Sequence, residues 1–166
     1  RHGFGEAGAW GEASLPPPVP IVKPVQLHVA HSWGGGLGRW VEDYCSADDA
    51  RWNLVLRSIG TWGAFGQRIA LYRSHQMDRP LRDWLLDMPI GSIAIRHLQY
   101  RRILGEIVRD FRIDAIIVSS LIGHSLEVLD TGLPTTVVAH DYTPFCAALS
   151  IRFDGVCTRC DGARLR

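Results

Sequence analysis

The chain has almost no surplus of charge: 18 Lys and Arg are set against 17 Asp and Glu, for a formal net charge of +1. Without a basic excess or a dense Lys/Arg cluster there is no electrostatic footprint for nucleic acid, and none is expected as a partner. No apolar run approaches the roughly 20 residues that cross a bilayer, and the first residues lack the charged, apolar, small order of a secretion signal. The expectation is a soluble, cytoplasmic protein without internal repeats. Two nucleotide fingerprints are also missing. Counting from Gly34, the sixth position is Arg39, so the third glycine of Gly-x-Gly-x-x-Gly is absent, and residues 52–58 end without the acidic residue that would hold a ribose. No Gly-Lys-Ser/Thr follows the glycines, which excludes a Walker loop. No two carboxylates are clearly placed for two-acid glycosidase chemistry.

What is present suits one ordinary domain: 166 residues, 46% of them hydrophobic, can bury a proper core. Residues 1–24 are rich in Gly, Ala and Pro and end in a polyproline-like stretch, which reads as a leader or linker. Residues 25–166 form the expected domain. A strand over 25–30 leads into His31-Ser32-Trp33-Gly34-Gly35-Gly36 and then a helix on which Leu37, Trp40, Val41, Tyr44 and Cys45 share one face. Residues 52–58 and 67–74 read as strands separated by Gly60, Gly63 and Gly66, while residues 81–96 fit either a strand and turn or a loop. A helix over 97–111 follows, with Leu104, Ile107, Val108 and Phe111 on its apolar face, then a strand over 115–118, a short helix over 125–130 and a strand over 135–139. Strands alternating with helices predict an α/β, Rossmann-like fold with a mostly parallel sheet and helices on both faces.

In such sheets ligands bind beyond the carboxyl ends of the strands. There the β-branched run from Thr135, which reads as a buried central strand, ends in His140 and Asp141, before a helix capped by Thr143 and opened by Pro144. A neutral imidazole accepts a proton or bonds a hydroxyl, and a neighbouring carboxylate fixes its tautomer. Adjacent residues of an extended segment point apart, so His140 is favoured for the ligand and Asp141 for a local backbone cap; seen alone, such a pair more often only closes a turn. The other candidate is the turn at Gly34, Gly35 and Gly36, whose backbone can approach an anion or a sugar at a helix start, or can serve only as a tight turn. His31, at the end of the first strand, is a candidate contact. His124 either meets acceptor hydroxyls or belongs to a capping turn, and His28 reads as core.

Trp33-Gly34-Gly35-Gly36-Leu37-Gly38-Arg39 resembles the Gly-Gly-x-x-Arg start of family 4 retaining glycosyltransferases of GT-B fold. Val138-Ala139-His140-Asp141-Tyr142 with Cys146 resembles the His-Asp-Tyr segment of their bacterial members, and Gly123-His124-Ser125 resembles the turn that precedes it. The resemblance covers about residues 25–160. It implies the acceptor-side half of a two-domain enzyme that moves a sugar from a nucleotide-sugar to a glycan or glycolipid in bacterial polysaccharide synthesis. That half would be inactive without its C-terminal donor-binding domain, and Arg1 in place of Met and a Cys-x-x-Cys near Arg166 fit a piece of a longer chain. By the same resemblance Gly35 and Gly36 approach the donor phosphates or the acceptor, His140 meets the transferred sugar near its reacting carbon, and Arg39 shapes the loop or meets an anion. The nucleotide-sugar is substrate, and no cofactor is expected. Retaining transfer passes through an oxocarbenium-like state, so positioning and charge stabilisation dominate. Ala147 departs from the proline usual after the cysteine.

Cys157 and Cys160 have metal-ligand or redox spacing, with Cys146 upstream and Cys45 on the apolar helix face. Reduced, structural cysteines are the first expectation, a metal held by Cys146, Cys157 and Cys160 the second. The alternative function is therefore a non-enzymatic Rossmann-like module with a metal or partner site. Arg96, Arg101, Arg102, Arg109 and Arg112 read as a solvated face, or as peripheral contact with anionic lipid at the inner membrane.

Overall fold

A computed structural model describes residues 23–33, 35–61, 64–91 and 94–140. They form strand β1 (Val25–His31), helix α1 (Gly36–Ala47), strands β2 (Trp52–Thr61), β3 (Ala64–Arg73) and β4 (Arg82–Leu85), helix α2 (Leu98–Phe111), strand β5 (Ile113–Val118), a 3-10 turn (Leu126–Leu129) and strand β6 (Thr135–Val137). The six strands make one mixed sheet in the order β4-β3-β2-β1-β5-β6. β1 runs parallel to β2 and β5, and β5 parallel to β6, whereas β3 is antiparallel to both β2 and β4. The fold is α/β.

The antiparallel part follows from chain length. Only two residues separate β2 from β3, and a link that short permits a hairpin but no crossover to a parallel neighbour. The glycines expected to mark a loop instead lie within or beside two long strands that run past it. Gly66 takes φ +80, and a Cβ there would sit 2.4 Å from the Ile90 backbone oxygen. Ile90 N in turn donates to Gly66 O at 2.8 Å, which locks the segment after β4 against β3. Residues 82–85, undecided from their pattern, become a strand because β3 supplies the partner.

Alternation along β1 and β2 divides the core between two faces. Leu27, Val29, Leu54 and Leu56 pack with Tyr100, Ile103, Leu104 and Ile107 of α2, while Ala30 and Val55 pack with Leu37 and Val41 of α1. The two helices thus cover opposite faces. Both amphipathic stripes come out as expected, with Trp40, Tyr44 and Cys45 half-buried beside Leu37 and Val41. Burial, reinforced by Asp48, pushes the Cys45 thiol up to about 12, consistent with a packed, unreactive side chain. His28 is core, as read.

β6 differs from its expectation as a buried central strand. Among the described residues it is an edge strand of three residues with Thr136 and Val137 exposed. β-branched composition marks a strand without marking its place in the sheet.

Gly66→Ala should destabilise the domain by about 2 kcal/mol or more, since both φ and the Ile90 backbone oppose a side chain. Gly36→Ala, in a helix with nothing within 4 Å of the new Cβ, should be neutral or stabilising. Urea midpoints of the two variants check this; equal midpoints would contradict the packing at Gly66.

Candidate functional site at the carboxyl edge of the sheet

The parallel strands β1, β2, β5 and β6 present their carboxyl ends to one edge. At the end of β1, Ser32 N donates to Ser58 O at 2.9 Å and Ser32 Oγ accepts from Gly60 N at 3.3 Å, so the first loop is laid onto the end of β2. His31 is buried; its Nδ1 accepts from Trp33 N at 3.1 Å, and the two rings lie 5.6 Å apart. Gly35 then caps α1 with φ 79, a value open to glycine at no steric cost. Among the described residues no side chain caps this helix start, and no acidic residue stands in its first turn, so its N–H groups and positive dipole end suit an anion or hydroxyl. A Cβ on Gly35 or Gly36 would meet nothing within 4 Å, so packing does not explain the glycine at 36. Arg39 is exposed and lies 3.7 Å from Asp43 along the helix. Gly34 lies outside the described residues.

His140 is exposed and sets the edge of its ring on Trp40 of α1, with centroids 4.7 Å apart at 68°. Trp40 follows Gly36 by about one helical turn. The turn after β6 and the glycine turn after β1, about 100 residues apart in sequence, thereby meet on the first turns of α1. Asp141, Cys146, Cys157 and Cys160 lie outside the described residues.

His124 sits beneath this edge. Its Nε2 donates to Ala30 O at 2.8 Å and its Nδ1 accepts from Tyr100 OH at 2.7 Å, with both side chains fully enclosed. Of its two readings the structure matches the structural one: both ring nitrogens are spent on fixing α2 to the last residues of β1. Burial pushes the imidazole down to about 4, against the pull of the Ala30 carbonyl and with help from nearby His31. Gly123, at φ +72, brings its backbone against Ser58. Ser119 and Ser120, which pattern reading passed over, both donate backbone N–H to Val29 O, at 2.9 and 3.2 Å. Among the described residues the buried Ser119 Oγ has no hydrogen-bond partner. A serine pair directly after a buried strand was the available signal for a polar strand end. Trp40 carried none, since at helical spacing it reads as core.

A second feature flanks the edge. β4 runs in the same direction as β2, so its end and the start of α2 lie on this side. His97 Nε2 donates to Met88 O at 2.9 Å, and Asp87 N donates to Gln99 Oε1 at 3.0 Å. These bonds tie the segment after β4 to the start of α2 at a corner where Leu85, Met88, Ile95 and Leu98 are each exposed, the last 84%, and Ile95 lines a cleft with Arg96 and Arg101.

No protein-family model, curated protein or solved structure matches the chain. The edge itself offers a helix start with no side-chain cap among the described residues, two glycines whose added Cβ would meet nothing within 4 Å, and an exposed imidazole against an indole. Among the described residues no group of three His, Cys, Asp or Glu could hold a metal ion, and no helix is long and apolar enough to cross a membrane.

Tyr100→Phe should cost about 1–3 kcal/mol, because the buried His124 Nδ1 is left without a donor. The folded imidazole takes up its proton near pH 4 and the unfolded one near 6.5, so the folded state holds fewer protons in between. Its stabilising contribution is complete above pH 6.5 and is lost as pH falls toward 4, about 3 kcal/mol in all. His28, also lowered by burial, acts in the same direction. Urea unfolding from pH 7 to 4 should show this decline, and a folded His124→Gln variant should flatten it. An unchanged profile would count against the buried neutral imidazole.

Proposed function

We propose that the chain is the acceptor-side, Rossmann-like domain of a retaining glycosyltransferase of GT-B fold, working with a donor-binding domain to move a sugar from a nucleotide-sugar to a glycan or glycolipid. The observation that carries this reading is the meeting of the uncapped glycine turn at Gly35 and Gly36 with His140 on the first turns of α1. A helix start stripped of side chains suits a phosphate or sugar hydroxyl, and an imidazole one turn away suits a hydroxyl of the transferred sugar. The sequence motifs around Gly34–Arg39 and His140 point the same way. Arg39, beside Asp43, remains available to an anionic group at the mouth of the turn.

The apolar corner with Arg96 and Arg101 supports an acceptor presented at an anionic lipid surface, with the domain held there peripherally on the cytoplasmic side. In this reaction charge grows on the leaving nucleoside diphosphate while the sugar becomes oxocarbenium-like. His140 orients the sugar, and fixed N–H dipoles meet the negative charge without having to reorganise.

The test is nucleoside-diphosphate release from a panel of sugar nucleotides, in the presence of membrane extract as acceptor source, by the protein with its donor domain. Wild type should turn over at least one donor, with His140→Ala at least 10²-fold slower and equally stable. Equal rates in the two proteins would remove His140 from the mechanism.

A further inference from the structure

The opposite edge of the sheet carries a groove of about 670 Å³ that the reading above leaves unused. Its floor is the amino ends of β1 and β2, at Val25 and Trp52 to Leu54; one wall is the end of α1 with Asp48, and the other is Arg73 to His75 after β3. Trp52 is 58% exposed there, large for an indole in a cleft, and Lys23 Nζ stands 5.6 Å from its ring centroid. Leu54 lies opposite Arg73 in the β2–β3 register. Trp52 and Leu54 alternate to the same face, so the indole and the Arg73 guanidinium are diagonal neighbours on one surface.

Charge is unevenly satisfied around this groove. Asp48 accepts from Ala50 N at 3.1 Å, from Arg51 at 3.3 Å and from Asn53 Nδ2 at 3.3 Å. Burial opposes its ionised form, but these bonds outweigh burial and hold the carboxyl below its usual range. Asn53 is itself buried and accepts from Gln26 Nε2 at 3.2 Å, so the acidic wall is braced from inside the sheet. Arg73 and His75, in contrast, are exposed and have no side-chain hydrogen bond or ion pair among the described residues. The site holds a flat ring with a cation over it, an exposed guanidinium and imidazole uncommitted among the described residues, a carboxylate already bonded at Asp48 and a second, exposed one at Asp49.

We propose that this amino-edge groove is a second ligand site, for an anion that carries a flat ring, the chemistry of a nucleoside phosphate. The ring stacks on Trp52, and the phosphate accepts from Arg73 and His75, with Lys23 exchanging its bond to the Asp49 backbone oxygen for the anion. A phosphate lacking the ring, or a nucleoside lacking the phosphate, forfeits one half of the contact. The site lies across the sheet from Gly35 and His140 and stands or falls independently of the transferase reading.

Calorimetric titration of the full chain with AMP, adenosine and inorganic phosphate tests it. AMP should bind saturably, at least tenfold tighter than either half alone. Binding should weaken at least tenfold in Arg73→Ala/His75→Ala and in Trp52→Leu, and stay unchanged in His140→Ala. Circular dichroism checks that these surface variants fold. Absence of saturable AMP binding would overturn the proposal, as would phosphate binding as tightly as AMP. AMP binding kept in the Arg73/His75 variant but lost in His140→Ala would assign it to the carboxyl edge instead and overturn the site equally.

Discussion

Everything in this domain is hung on β1, which is hydrogen-bonded on both sides and covered on both faces. Its neighbours β2 and β5 are both parallel to it, and its residues from Gln26 to His31 are all buried. The constraint is strongest at its carboxyl end. Val29 O takes the N–H groups of Ser119 and Ser120, and Ala30 O takes the His124 ring. Three bonds from the single stretch 119–124 converge on the last residues of one strand, so the loop that leaves it starts from a fixed place.

The two faces of the sheet are unequal, and the difference bears on function. Under α2 lies the large core, extended by Ile69, Leu71, Ile116 and Val118, whereas α1 buries only Leu37 and Val41 fully. At about 25 cal/mol per Å² of apolar surface, α1 is much the more weakly anchored helix. It is also the helix that begins in the glycine turn and carries Trp40 against His140. Ligand-responsive elements are drawn from the less stable parts of a fold, and α1 meets that description.

The same parallel strands give the sheet two chemically different edges. At the carboxyl edge, short polar groups and bare backbone predominate among the described residues: serines, glycines and a helix start that no side chain caps. At the amino edge, Asp48 ties the end of α1 to β2 through Arg51 and Asn53, Lys23 bonds the Asp49 backbone, and Arg73 and His75 make no side-chain bond among the described residues.

Local periodicity was enough to determine where α1 and α2 lie and which of their residues face inward, because those signals depend only on spacing within one element; the alternation of strands and helices it suggested holds on either side of β2-β3-β4 but not within it. It also marked the glycine turn and His140 as strand-end features. Tertiary structure decided the rest. The hairpin of β2 and β3, the strand at residues 82–85 and the edge position of β6 depend on which segment pairs with which, and sequence spacing does not encode partners. His124 looked like a loop histidine until Tyr100 and Ala30, 24 and 94 residues away in the chain, were found to occupy both its nitrogens. The groove at Trp52 and Arg73 likewise exists only because an antiparallel register lays those residues side by side; long-range pairing, not local preference, creates it.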